Sequence, residues 1–208
     1  ADAQASSDLG GAEKLARDAE LYNLRQQLQP PFLFPRLNSI NALIGFKPDE
    51  ARKMIHQLSD FLRGTLKKDD QQLVPLTEEL AHLQLYLDIE KVRFGHRLNT
   101  EISCDTACGE ALLPSLLLQP IVENAIKFGL YDTIENVTVS IRGEIEEGYL
   151  VLMIQNPYDP KTSRPRQGTG FGLSGVQRRL YLLFARNDLV ETHASDNIFT
   201  TIIKVPQV

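Results

Sequence analysis

Glu123, Asn124 and Lys127 stand together inside an apolar run, LPSLLLQPIVENAIKFGL, which extends from Leu113 to Leu130. At 3.6 residues per helical turn the three side chains leave the helix within about one turn of each other, so a carboxylate, an amide oxygen and an ammonium converge on one small volume. Oxygen donors beside a positive charge suit a metal-chelated polyphosphate, since hard cations take oxygen ligands and phosphate takes the ammonium. A core helix whose last turns surface would carry the same pattern with no ligand at all. A second stretch, GTGFGL, places Gly168, Gly170 and Gly172 at alternate positions just ahead of a helix. Glycines there let backbone N–H groups close on phosphate oxygens at a helix N-terminus. The spacing is not that of a dinucleotide fingerprint, and no strand leads directly into it. The loop before it carries Lys161, Arg164 and Arg166 and reads either as a mobile basic lid or as a solvated turn.

The elements that must position these residues follow from periodicity and punctuation. Glu13 to Gln29 predicts an amphipathic helix with a narrow apolar seam, the kind used between helices or subunits. Pro30, Pro31 and Pro35 follow. A proline inside a helix removes a hydrogen bond and clashes with the preceding turn at about 3 kcal/mol, so a break is expected between Gln29 and Pro35. Helix should restart near Phe34 or Pro35 and run to about Ile44. Gly45 and Pro48 mark the next boundary, and Met54, Ile55, Leu58, Phe61, Leu62 and Leu66 give a helical period from Asp49 to Lys68. Two such helices form a hairpin with too much apolar face to stand alone, so a dimeric four-helix bundle is expected. KKDDQQ reads as a polar linker.

A third helix is expected from Thr77, as N-cap, to Phe94, with acids in its first turn and Gly95 at its end. Beyond it the texture turns to strands: Arg97–Ser103, Asn136–Glu144 and Tyr149–Gln155, the last two joined by a turn at Glu146, Glu147 and Gly148. One helix is expected over the whole of Leu113–Leu130 and another over Leu173–Ala185, with closing strands near Leu189–His193 and Phe199–Val205. The fold class is α+β, with a helical part over 1–74 and an α/β-sandwich part over 75–208, or a boundary near 95 if the connecting helix is counted with the first part.

Composition narrows the function. The 208 residues carry a formal net charge of −5, which argues against a nucleic-acid-binding surface. Cys104 and Cys108 are the only cysteines and lack the partners of a zinc site or disulfide framework, which fits a reducing compartment. No apolar run has the length of a membrane span, and no signal peptide is visible. The opening ADAQASSDLGGAEKL reads like the start of a piece of something longer, so a cytoplasmic fragment of an inner-membrane sensor, itself without membrane contact, is expected.

VENAIKFG, then IQNP, then GTGFGL resemble the ATP-binding domain shared by histidine kinases, DNA gyrase, a heat-shock chaperone class and the MutL repair protein (the GHKL, or Bergerat, fold). LRQQLQPPFLFPRLNSINALI, LSDFLRGTLKK and LTEELAHLQLYLDIEKVRFGHRL resemble the LytS-type sensor histidine kinases, and the likeness runs from about residue 20 to the end. The resemblance implies ATP and Mg²⁺ as cofactors, a homodimer, and as partner a response regulator with a receiver domain, often of the LytTR type. It implies Asn124 as an oxygen ligand to Mg²⁺, Glu123 beside the γ-phosphate as the catalytic carboxylate, Lys127 neutralising phosphate charge, and Gly168, Gly170 and Gly172 cradling phosphates. The adenine-reading Asp of the superfamily corresponds to Gln155 or Asn156, with Asn156 favoured. Phe128 replaces a His usual in the family.

The larger departure lies upstream. The family motif Asn-Pro-His-Phe-Leu-Phe-Asn corresponds here to Gln29-Pro30-Pro31-Phe32-Leu33-Phe34-Pro35, so Pro31 replaces the phosphoacceptor His. His56, His82, His96 and His193 lack the motif context and read as surface or packing residues. Three functions remain: a kinase core without its usual acceptor, a nucleotide-binding pseudokinase that signals by conformation, and an ATPase with water as acceptor, which the helical hairpin disfavours.

Overall fold

The structure, a computed structural model, describes residues 30–68, 72–130, 133–161 and 171–207. The expected helix over Glu13–Gln29, the glycines at 168 and 170, and Arg164 and Arg166 of the basic loop lie outside those residues.

Helix α1 spans Pro30–Ile44 and α2 spans Pro48–Leu66. The restart expected near Phe34 or Pro35 is corrected: the chain is already helical at Pro30, the first described residue, and stays helical through Pro35. Pro35 removes an internal bond, and the tertiary packing of α1 outweighs that cost. Pro48 opens α2 with Asp49 and Glu50 in its first turn, where acids complement the helix dipole. Ala51, Met54, Leu58, Phe61 and Thr65 form its buried stripe at helical spacing. Ile55 and Leu66 face outward, with 45% and 74% exposure, as do Phe34, Leu37 and Ile44 of α1.

Strand β1 is Leu73–Pro75 and α3 is Leu76–Phe94. The N-cap of α3 is Pro75, not Thr77, and no side chain caps it; the chain enters directly from β1, and the Leu76 N–H is taken by the Ala111 carbonyl at 2.8 Å. Gly95, at φ 61°, ends α3 in the left-handed region that glycine adopts freely. A single 3₁₀ turn, Gly95–Arg97, leads into β2, Leu98–Ser103. A short helix α4, Thr106–Glu110, is capped by Asp105, whose carboxylate accepts the Cys108 N–H at 2.7 Å.

Leu113–Leu130 is not one helix. Leu112–Pro114 forms strand β3, paired antiparallel with β1 so that Leu73 faces Pro114. Ser115–Leu118 is irregular, with Leu116 at φ 60°, and helix α5 runs only from Gln119 to Leu130. A continuous apolar run does not distinguish strand, turn and helix when all three are buried. Pro120 sits in the first turn of α5, where a proline is tolerated.

Strands β4, Val137–Glu146, and β5, Tyr149–Pro157, form a hairpin closed by Glu147 and Gly148 at φ 48° and 81°. Positive φ at both central residues matches the twist of the flanking strands. Helix α6 is Phe171–Phe184, and strands β6, Val190–Ser195, and β7, Ile198–Pro206, complete the chain around a similar turn at Asp196 and Asn197. The five-stranded sheet has the order β2-β4-β5-β7-β6, parallel between β2 and β4 and antiparallel elsewhere. Helix α5 packs on β4 and β5, and α6 packs on α5. One apolar core joins Ile40 and Met54 of the hairpin, Leu83 and Leu87 of α3, Ile121 and Ile126 of α5, and Leu152 and Ile203 of the sheet. The architecture is the expected α+β order, helical hairpin first and mixed sheet after it. None of the described helices is long and apolar enough to cross a membrane.

Candidate functional site

Helix α5 carries three of the candidate residues. Ile121, Val122, Ala125, Ile126 and Leu130 seat it in the core, which leaves Glu123 and Asn124 half-buried at the edge and Lys127 exposed. Glu123 accepts a hydrogen bond from the Gln119 amide at 3.3 Å. Its carboxyl is pushed up to about 7: burial is the main cause, the Gln119 bond and Arg36 oppose it, and Glu90 adds to it. A carboxylate with a proton affinity near neutral pH can hold or release a proton under ordinary conditions.

The approach of α6 is tight at this point. A Cβ built on Gly172 would fall 2.6 Å from the Asn124 amide nitrogen and 3.2 Å from the Pro120 carbonyl oxygen. Glycine at 172 therefore sets the closeness of the two helices and leaves Asn124 against the entry to α6. Among the described residues no hydrogen bond involves the Asn124 side chain, which stands half-buried against Gly172. A neutral oxygen donor next to a carboxylate and against Gly172 fits a magnesium-bound phosphate chain.

Lys127 lies on the same side of α5, with its ammonium 5.8 Å from the centre of the Phe128 ring and no carboxylate partner among the described residues. Asn156 stands at the end of β5 and is 4% exposed. It shares its parity with buried Leu150, Leu152 and Ile154 and so faces the helices, and its amide donates to the Pro157 carbonyl at 3.0 Å. Gln155 has the opposite parity and donates to Thr200 on β7 at 3.1 Å. Of the two strand-end candidates, only Asn156 is on the side of α5. It does not meet Asn124. The Pro157 carbonyl lies beside Gly129, where an added Cβ would be 3.6 Å away. At about 1.5 Å of rise per residue, Gly129 lies some 7 Å along α5 from Asn124.

Sequence reasoning missed the carboxylates of α3. Glu90 is 1% exposed and accepts from Arg36 of α1, with Nε at 2.7 Å and Nη2 at 2.6 Å. Burial pushes the Glu90 carboxyl up, and Arg36 draws it back. Glu79, 2% exposed, accepts the backbone N–H groups of Leu116 and Leu118 at 2.9 and 3.3 Å. Both were findable: Glu79 and Glu90 lie roughly three turns apart on the stripe that also holds Leu83, Tyr86 and Leu87. A carboxylate at a core position of an amphipathic helix needs a buried partner.

The histidines fall as expected. His56, His96 and His193 are exposed, and His82 is buried, stacked on Phe61 at 4.8 Å and 3.3 Å from the Thr65 hydroxyl.

Residues 19–98 match the family described as "Histidine kinase". Over 213 residues the chain is 30% identical to the sensor protein LytS of Staphylococcus epidermidis, covering 96% of this chain and 36% of the relative. Over 187 residues it is 34% identical to the sensor histidine kinase BtsS of Escherichia coli, covering 88% and 32%. The catalytic domain of the histidine kinase ThkA is similar in structure over 65% of this chain and 95% of that one, at 17% identity and a TM-score of 0.49. Over most of its length the chain is therefore similar in sequence to sensor histidine kinases of the LytS and BtsS type. The chain spans about a third of the length of these curated relatives.

Proposed function

We propose that the chain binds ATP with Mg²⁺ between α5 and α6 and serves as the core of a two-component sensor kinase whose usual acceptor position is chemically silent. The observation that carries this reading is the contact of Gly172 with Asn124, where a Cβ would come within 2.6 Å of the amide nitrogen. That closeness brings Gly172 of α6 onto Asn124, beside Glu123 on α5. When bound, ATP·Mg²⁺ supplies a transferable phosphoryl group. Asn124 would offer its amide oxygen to the metal, and by resemblance Gly168, Gly170 and Gly172 would cradle the phosphates. Lys127 offsets phosphate charge. Asn156, facing the helices from β5, reads the edge of the base. Glu123, poised near neutral pH, orients the attacking group and accepts its proton.

The acceptor is the missing part. Pro31, within α1, has a tertiary amide nitrogen with no lone pair free for attack, so phosphoryl transfer to that position is closed. Residues 1–74 act as a dimerising, acceptor-like unit and 75–208 as the nucleotide-binding unit. The outward stripe of Phe34, Leu37, Ile44, Ile55 and Leu66 supports the dimer. A response regulator, of LytTR type by resemblance, is the downstream partner. The second reading is a pseudokinase that signals by conformation, and Pro31 favours it. Radiolabelled ATP separates the two. Pro31→His should gain acid-labile label where the parent gains none; label on the parent would refute the silent acceptor, and none on the variant would favour the pseudokinase.

A further inference from the structure

The segment Ser115–Leu118 sits directly ahead of the helix that carries Glu123 and Asn124, and its backbone is strained. Leu116 is at φ 60°, a region where a side chain collides with its own backbone and which leucine seldom adopts. Such strain persists only where the surroundings over-determine it. Here the surroundings are mainly one side chain. Glu79 reaches from the first turn of α3 and accepts both the Leu116 N–H at 2.9 Å and the Leu118 N–H at 3.3 Å, one on each carboxylate oxygen. Ser115 N–H is held separately by the Gln72 carbonyl at 3.1 Å. Leu118 in turn accepts from Ile121 and Val122 at 3.1 and 3.0 Å, the bonds that open α5.

We infer that Glu79 is a positioning residue for the nucleotide site: its carboxylate holds the left-handed turn at Leu116 and thereby fixes where α5 begins. This inference rests on the nucleotide-binding reading above. The tolerance is small, because Asn124 already stands against Gly172 with no room for a methyl group. A slip at the start of α5 would carry Asn124 into or away from that contact, and Glu123 with it. Only the ionised carboxylate offers good acceptors at both oxygens. Burial works against that charge, while the two backbone bonds, and then Lys68 and Arg179, favour it. Lys68 ends the hairpin side and Arg179 belongs to α6, so the residue that sets α5 also senses both its neighbours.

Glu79→Gln keeps the size of the side chain, loses the charge and turns an amide NH₂ toward a backbone donor. In the full chain, with a fluorescent ATP analogue and Mg²⁺ as probe, this variant should bind on the order of tenfold more weakly than the parent, well below its melting temperature. Hydrogen exchange should quicken at the amides of Leu116 and Leu118 and through the first turn of α5, while β4, β5 and β7 keep the parent's protection. Glu79→Ala should do the same more strongly; if it fails to fold, Glu79→Gln carries the test. Exchange that rises evenly across the sheet, or local loosening with unchanged affinity, would overturn the inference and leave nucleotide binding standing. A parent chain that does not bind the analogue would overturn the nucleotide reading itself, and this inference with it.

Discussion

The Arg36 guanidinium holds the Glu90 carboxylate through contacts at 2.7 and 2.6 Å, and this pair ties the first helix of the hairpin to the helix that borders the site. Both charges act on Glu123, Arg36 favouring its ionised form and Glu90 opposing it. The hairpin is therefore electrically coupled to the proposed catalytic carboxylate as well as packed beside it.

Breaking that pair from one side should be costly. Arg36→Met leaves a buried carboxylate without its counter-charge and should lower stability by about 3–5 kcal/mol. Combining it with Glu90→Leu should recover most of the loss, because both buried charges are then removed. Urea denaturation of the two single variants and the double variant measures the coupling.

Glu123 should make stability and turnover depend on pH in opposite senses. Its carboxyl rises from 4.5 to about 7 on folding, so the folded chain binds more protons between those values. Its contribution to stability is full below pH 4.5 and is lost as pH rises through about 7. Proton acceptance needs the ionised form, so any phosphoryl transfer should climb over the same range. Glu123→Gln should flatten both profiles; melting curves of the parent chain, and label incorporation in the Pro31→His background, check them across pH.

His82 should act with the opposite sign on stability. Burial, and then Lys68, lower it from 6.5 to about 4 in the folded chain. The unfolded chain binds the extra proton between those values, so this contribution is present above pH 6.5 and is lost as pH falls toward 4. His82→Leu should unfold less steeply in mild acid than the parent, as followed by the urea midpoint.

Much of this was legible in the residues. The hairpin, the end of α3 at Gly95, the β4–β5 turn and the order of the closing strands followed from period and punctuation. The run from Leu113 to Leu130 did not resolve. Pro114 pairs with a distant strand, and Leu116 is held by Glu79, contacts far away in sequence that local pattern does not encode. Pro35 misled in the same way, because packing on α3 and the Arg36–Glu90 pair keep α1 helical through it. Glu123, Asn124 and Gly172 stood out in the sequence because each broke its surroundings in a chemically specific way, and the structure brings Asn124 and Gly172 together. The Glu79 and Glu90 carboxylates broke theirs equally and were read only as part of a helix.

The central claim is that Asn124 and the entry to α6 form a nucleotide site, and binding of a fluorescent ATP analogue with Mg²⁺ tests it most directly. The parent chain should bind in a magnesium-dependent way. Gly172→Ala, which forces a methyl group against Asn124, should lose about 1–3 kcal/mol of that affinity, and Asn124→Ala should lose the magnesium dependence. A parent chain that does not bind, or variants that bind as the parent does, would contradict the account.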